Sequence, residues 1–194
     1  ESATIIESPE LAEAKLRRIG FFPIWGEEVK KLPRAPRAPK KPEPLFPAGP
    51  PTSIEVPAVL IEEKKYFPSL IAQQSERALK LFLLLLYLRE AKGQDRFLLS
   101  LEPAAEFLGF LTGKDRTSVR RQMIRLLRDP ESIGPLVRAE FHHGKETRVE
   151  VLPMPGPAFT LGSDDLAAGE LAVLTDNQIF MRLARARLRE EGKR

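Results

Sequence analysis

The segment LEPAAEFLGFLTGKDRTSVRRQMIRLLRD, residues 101–129, decides how this chain folds. Its first part repeats apolar residues at helical spacing until Gly109, where a turn would end the helix. A short connection follows, and Asp115 or Thr117 can cap a second helix. The segment therefore predicts two helices joined by a short turn.

The second of these helices, predicted over Thr117–Arg128 and called the basic helix from here on, has two unlike faces. At about 100° per residue, its apolar side chains fall in one sector of the helix. These are Val119, Met123, Leu126 and Leu127, with Ile124 at the edge. The opposite side carries Ser118, Arg121, Gln122 and Arg125, flanked by Arg128. No acidic residue lies between Arg116 and Arg128, whereas a merely solvated face, which is the alternative, more often mixes Glu with Lys or Arg.

The residue types on this polar side match the chemistry of a DNA major groove. Arginine can form two hydrogen bonds to a guanine edge, glutamine can do so with adenine, and both can hold phosphates. The amides at a helix start also favour phosphate. We predict that base edges are read by Arg121, Gln122 and Arg125. We predict that phosphates are held by Arg116, Thr117, Ser118, Arg120 and Arg128.

The elements before the two helices complete a small domain. A long helix is predicted over Ser75–Lys92, and its middle, LKLFLLLLYL, is apolar around the whole circumference. A helix of this kind is covered on more than one side. It is therefore either the central core helix or a helix partly covered by a second copy of the chain. Residues 96–99 then read as a short strand.

A hairpin is predicted after the basic helix. Residues 136–141 and 146–151 alternate in polarity, and the short turn between them contains Gly144. One register turns the following residues inward: Val137, Ala139 and Phe141 on the first strand, and Thr147, Val149 and Val151 on the second. The whole pattern predicts a mainly α fold with a small β-hairpin, which is an α+β class.

The order helix, short strand, helix, turn, basic helix and hairpin resembles that of the winged helix-turn-helix superfamily. The resemblance covers about residues 69–152 and is closest to plasmid replication initiators and to bacterial or phage regulators. It implies that Thr117–Arg128 is the reading helix. It also implies a wing near the DNA backbone, formed by His142, His143, Lys145 and Arg148. No cofactor and no metal are implied.

Outside this region we divide the chain by composition. Residues 1–32 hold a short helix at 8–19 and an apolar docking segment around Trp25. Residues 33–53 form a basic proline-rich linker, PRAPRAPKKP at its start, which is either a stiff polyproline spacer or an arm along nucleic-acid phosphates. The winged domain occupies 54–153 and a helical extension occupies 154–194.

Two helices are predicted in the C-terminal extension. The first runs over Ser163–Leu174, and its acids Asp164 and Asp165 suit a first turn. Thr175 begins the second, with Gln178 at the reciprocal capping position. An apolar stripe on the second helix consists of Ile179, Leu183 and Ala186. A basic stripe beside it consists of Arg182, Arg185 and Arg189. This helix docks on the domain or forms a homodimer contact; a second phosphate-binding surface is the less favoured alternative.

Composition excludes several classes of function. The chain has 194 residues, a net charge of +4 and no cysteine, so disulfides, thiolate metal sites and thiol nucleophiles are ruled out. The segment GFLTGKD at 109–115 lacks the spacing and the hydroxyl of a phosphate-binding loop. The longest apolar run, Leu81–Leu88, is too short for a membrane span. We expect a cytoplasmic, nucleoid-associated protein that is not an enzyme.

Two functions compete at this stage. The first is a sequence-preferring double-stranded DNA-binding protein that acts in replication initiation or transcription regulation. The second is a winged-helix module that docks onto a larger protein or nucleoprotein machine, with the proline-rich arm as a possible contact. RNA binding ranks third because the exposed aromatic platform that RNA-binding modules use is missing.

Overall fold

The computed structural model describes residues 44–73, 76–110, 116–141 and 146–192. Several predictions lie outside these ranges. They are the helix at 8–19 with the segment around Trp25, the proline-rich stretch up to residue 43, the start of the long helix at Ser75, the connection at 111–115 with its cap Asp115, and the hairpin turn at 142–145. No helix of the described part is long and apolar enough to cross a bilayer.

The described ranges contain six α-helices and two small antiparallel sheets, and this confirms the predicted α+β class. The strands are β1 (Ser53–Pro57), β2 (Arg96–Ser100), β3 (Val137–Phe141), β4 (Glu146–Val151) and β5 (Ala158–Gly162). The helices are α1 (Val59–Glu62), α2 (Phe67–Ala72), α3 (Glu76–Lys92), α4 (Leu101–Phe107), α5 (Arg116–Arg128) and α6 (Asp176–Glu191). Two 3-10 turns lie at Gly134–Leu136 and Ala168–Ala172.

Helix α3 is the central core helix. Every residue from Ala78 to Leu88 is buried, including the charged Lys80. The surrounding elements are α2, α6, β1, β2 and β4, and all of them belong to the same chain. Burial on all sides is expected for a helix without a polar face. The apolar side chains from Ala78 to Leu88 are thus covered within the chain, and the dimer contact predicted through Ser75–Lys92 stays a prediction.

A three-stranded antiparallel sheet lies beside α3, with the strand order β2-β4-β3. In the hairpin, Val137 pairs with Val151, Ala139 with Val149 and Phe141 with Thr147. This is the predicted register, and it turns Val149 and Thr147 into the core. The register is determined by the polarity pattern because a slip of one residue would expose every apolar side chain of the strand.

A second, two-stranded sheet is formed by β1 and β5 and was not predicted. Ile54 pairs with Leu161 and Val56 with Phe159, and all four side chains are buried. Each strand is short and alternates in burial. Between β5 and α6, the helix predicted over Ser163–Leu174 is wrong.

The chain there forms a turn and then the 3-10 segment Ala168–Ala172. The reason is local: Ala167 is extended, and its backbone N–H donates to the Glu170 carboxylate instead of joining a helix. Asp165 is not a first-turn acid, since it accepts from the backbone N–H of Gly162 and pairs with Arg189.

Helix α6 confirms the predicted cap and the docked orientation. The Thr175 hydroxyl accepts from the Gln178 backbone N–H at 3.4 Å, and the Gln178 side chain accepts from the Thr175 backbone N–H at 2.9 Å. The apolar stripe Ile179, Leu183 and Ala186 is buried against β5, α1, α2 and α3.

Residues 42–194 form one compact unit. The C-terminal residues Phe159, Leu171 and Leu183 belong to the same hydrophobic cluster as the buried residues of α3. At the other end of the unit, Leu45 and Phe46 pack against this cluster, and the Phe46 ring lies 5.4 Å from that of Phe107 on α4. The described end of the proline-rich segment is therefore attached to the domain.

Candidate nucleic-acid interface

Helices α4 and α5 pack against each other and place the basic helix at the surface. Val119, Met123 and Leu127 of α5 are buried, as the apolar sector predicts. Helix α4 ends at Phe107, and Gly109 follows in the turn where the break was predicted, with a φ of +70°. This left-handed conformation suits glycine because it has no Cβ. The buried sector orients α5 and leaves its opposite side at the molecular surface.

Two arginines dominate the outward side of α5. Arg121 and Arg125 are exposed, and Ser118 beside them is exposed as well. Within the described part of the chain, neither arginine forms an ion pair. Helix α5 has no acidic residue of its own. At Arg121 and Arg125 this side therefore presents positive charge and hydrogen-bond donors, and no acceptor. It can therefore accept an anionic or acceptor-rich partner.

Gln122 is in a different situation from its arginine neighbours. It is half-buried, and its side-chain oxygen Oε1 accepts a hydrogen bond from Nη1 of Arg77 in the first turn of α3. The Arg77 guanidinium in turn lies over the Phe110 ring, 5.3 Å from its centroid. Gln122 thus remains next to Arg121 but is coupled to the core helix.

Arg128 turns toward the sheet. Its guanidinium lies 4.2 Å from the centroid of the Phe141 ring on β3, which is a cation–π contact. The side chain is still exposed. The contact holds a positive charge between the end of α5 and the start of the hairpin turn.

The remaining predicted site residues divide into three groups. Thr117 is exposed and Arg120 half-buried, and both have interactions within the chain. Arg148 is exposed on β4 but lies 3.7 Å from Glu140. The side chain of Arg116 and residues His142, His143 and Lys145 lie outside the described residues. The described structure thus brings Ser118, Arg121 and Arg125 together on one surface, with Gln122 at its edge.

The outer face of the three-stranded sheet has compensated charges. Arg96 pairs with Glu140 at 2.7 Å, and Arg138 pairs with Glu150 at 3.2 Å. Arg148 shares Glu140. Strands β3 and β4 therefore carry less net positive charge than α5.

The basic stripe predicted on α6 is also mostly paired. Arg182 donates to Glu170 at 2.8 Å, and Arg189 pairs with Asp165. Only Arg185 of the predicted stripe is exposed and makes no ion pair in the described residues. These pairs dock α6 on the domain and weaken the case for a second phosphate-binding surface.

Sequence reasoning missed Arg77. It lies in the first turn of a helix whose pattern indicates only a core role, and 45 residues separate it from Gln122. Nothing in the local sequence indicates this contact, because it depends on how α3 packs relative to α5.

The described residues include no group of three or more His, Cys, Asp or Glu side chains that could hold a metal ion. In three comparisons with known proteins, no family model, no curated protein and no solved structure matches this chain. The geometry and charge of α5 are therefore the basis for the functional argument.

Proposed function

We propose that this protein binds double-stranded DNA with a sequence preference, through the outward side of α5 in a winged helix-turn-helix domain. The element order α3-β2-α4-α5-β3-β4 supports this proposal, as does a sheet in which β2 joins the hairpin. The role would be replication initiation or transcription regulation.

One observation carries the proposal. Arg121 and Arg125 are exposed on the side of α5 that faces away from the core, while most other arginines of the domain have acidic or aromatic partners. Leaving two neighbouring like charges without acids is unfavourable in the isolated protein. Binding of a polyanion removes that repulsion and releases condensed counterions from the DNA.

Equilibrium titration of duplex DNA tests the proposal. Genomic fragments captured with the protein supply the duplex, and binding is measured at fixed salt by fluorescence anisotropy. Arg121→Ala and Arg125→Ala should each weaken binding by about 1–3 kcal/mol, which is roughly 5- to 150-fold, if each contacts a base. Arg185→Ala on α6 is the matched control, because it removes from another helix an exposed arginine that forms no ion pair with the described residues.

The control should change the affinity less than twofold. Unchanged affinity for both α5 variants would show that this side of α5 does not contact DNA.

A second candidate, docking onto a protein machine, is favoured by exposed apolar side chains near the C-terminus. Val173, Met181 and Leu188 are 78%, 53% and 65% exposed, and the last two lie seven residues apart on one side of α6. A partner protein, or the second copy of the homodimer predicted through this helix, would make its contact at these side chains.

Salt dependence separates the two candidates. A duplex reader loses affinity steeply as salt rises and distinguishes between sequences. A protein-docking module shows weak duplex binding that is the same for every sequence.

A further inference from the structure

We infer that Arg77 orients the side-chain amide of Gln122 so that its NH2 group is the part that donates hydrogen bonds to DNA. Gln122 then favours base edges rich in acceptors, those of guanine or thymine, over adenine. This inference rests on the proposed DNA-binding function. It adds a positioning residue on α3 and a base preference at one position of the target site.

The first step is the orientation of the Gln122 amide. A guanidinium group carries five N–H donors and no acceptor. The Gln122 atom that faces Arg77 is therefore its oxygen, because the reverse orientation would place two donors against each other. The contact is charge-assisted and part-buried, which strengthens it relative to a neutral bond in water.

The second step is the support of Arg77 itself. Its guanidinium lies over the ring of Phe110, which is buried at the end of the α4 turn. The stacked ring limits the positions that the long arginine side chain can take. Arg77 is therefore held at Gln122 by α3 on one side and by the turn on the other.

The third step is base chemistry. Glutamine recognises adenine by accepting from N6 with its oxygen while donating to N7 with its nitrogen. In this protein the oxygen already accepts from Arg77, so Nε2 is the group left to face outward. Its donors match guanine N7 and O6 or thymine O4. A carbonyl oxygen has two lone pairs, so we expect adenine to be disfavoured about tenfold rather than abolished.

Selection from a duplex library with randomised positions tests the inference on the full-length protein. Gln122→Ala identifies the position that Gln122 reads, because preference disappears there and remains elsewhere. The wild-type protein should enrich guanine or thymine at that position. Arg77→Met keeps a long side chain over Phe110 but removes the donors, so adenine should gain about tenfold relative to guanine. Arg77→Lys restores a donor and should return the wild-type preference.

Three outcomes would overturn the inference. Enrichment of adenine by the wild-type protein contradicts it directly, and this result does not depend on whether any Arg77 variant folds. Identical base preferences for Arg77→Met and wild type show that Arg77 does not determine the orientation of the Gln122 side-chain amide. A uniform loss of affinity without a change of base shows that Arg77 has only a structural or phosphate role.

The proposed function fails in a different way. If the wild-type protein enriches no sequence and its duplex affinity does not change with Arg121→Ala, DNA reading by α5 is rejected, and the role of Arg77 with it. If wild type selects a sequence but the Gln122 position is insensitive to Arg77, only the present inference is lost.

Discussion

Arg121 and Gln122 are neighbours in the chain, yet they occupy different environments. They lie about 100° apart on the helix, so Arg121 reaches solvent while Gln122 meets the first turn of α3. The helical period predicts which residues share the polar side of α5. It cannot show which of them are already bonded within the protein, because the partner belongs to a distant element.

Gly109 is a second residue whose role depends on conformation rather than on contacts. Its φ is +70°, and a Cβ there would meet only Ala172, whose Cβ lies at 3.7 Å and whose carbonyl oxygen lies at 3.8 Å, which is ordinary contact. Gly109→Ala should therefore destabilise the protein by about 1–2 kcal/mol through backbone strain, because a left-handed residue with a Cβ is unfavourable. Urea unfolding followed by circular dichroism measures the change.

Gly169→Ala is the control for this substitution. Gly169 lies in the 3-10 segment with open space around its Cβ direction and without a positive φ. Its replacement should be neutral or slightly stabilising. Equal effects of the two substitutions would mean that conformation at Gly109 is not the cause.

At the scale of elements, the 3-10 segment Ala168–Ala172 links α3 to α6. The Tyr87 hydroxyl on α3 donates to the buried carbonyl of Leu166, just before this segment. On the other side, Arg182 of α6 donates to Glu170 and to the Asp165 carbonyl. The C-terminal region is thus attached to the core helix by directional bonds as well as by apolar packing.

Tyr87→Phe removes one of these bonds. It should lower the free energy of unfolding by about 1–3 kcal/mol, because the buried Leu166 carbonyl loses its donor. Burial also raises the pKa of the Tyr87 phenol, so the folded state holds this proton more tightly than the unfolded state. The stabilisation of the folded state that follows from this raised pKa is complete below about pH 10 and falls as the pH rises further. Chemical denaturation at neutral and alkaline pH measures this loss.

Tyr66→Phe is the matched substitution for Tyr87→Phe. Tyr66 is only half-buried, and Nζ of the exposed Lys65 lies 4.8 Å from the centroid of its ring. Its replacement should change the free energy of unfolding by less than about 0.5 kcal/mol. A loss at Tyr87 no larger than this would contradict the structural role of the Leu166 bond.

Glu170 provides a prediction about acidic pH. The Ala167 backbone N–H first, and then the Arg182 guanidinium, hold the pKa of Glu170 below its usual value. Because its pKa is lower in the folded state, Glu170 stabilises that state at a pH above its unfolded-state pKa of about 4.3. This stabilisation is lost as the pH falls through the folded-state pKa. Glu170→Gln should therefore cost up to about 1 kcal/mol at pH 7 and almost nothing at strongly acidic pH. The cost is small because the side chain is partly exposed and screened.

Urea denaturation at both pH values measures this difference, with Glu106→Gln as the control. Glu106 is exposed on α4 and pairs with no described residue, so its replacement should have the same small effect at each pH. A pH-independent cost at Glu170 would assign its contribution to packing instead of charge.

At the scale of the whole molecule, the domain extends beyond the elements α3 to β4 of the proposed winged helix. Strand β5 pairs with β1 and α6 covers part of α3, so the residues after 153 supply part of the only large hydrophobic cluster of the described chain. Deletion of residues 154–194 should therefore abolish cooperative unfolding, because α3 and β1 lose the elements that bury them.

Thermal unfolding monitored by circular dichroism tests this prediction. Truncation after Gly192 is the control, since it leaves α6 complete and should preserve the transition of the full chain. A sharp transition in the longer deletion would show that residues 1–153 fold without the elements that follow them.

The sequence by itself determined the local elements of this protein. A continuous apolar run marks α3, and the helical period of apolar residues defines the buried sector of α5. The Thr175 and Gln178 pair begins α6, and alternation sets the hairpin register. Each of these depends on residues close together in the chain. Only the tertiary structure decided that β1 pairs with β5, about a hundred residues away, and that Arg77 engages Gln122. Such contacts follow from how complete elements pack, and no short stretch of sequence contains that information.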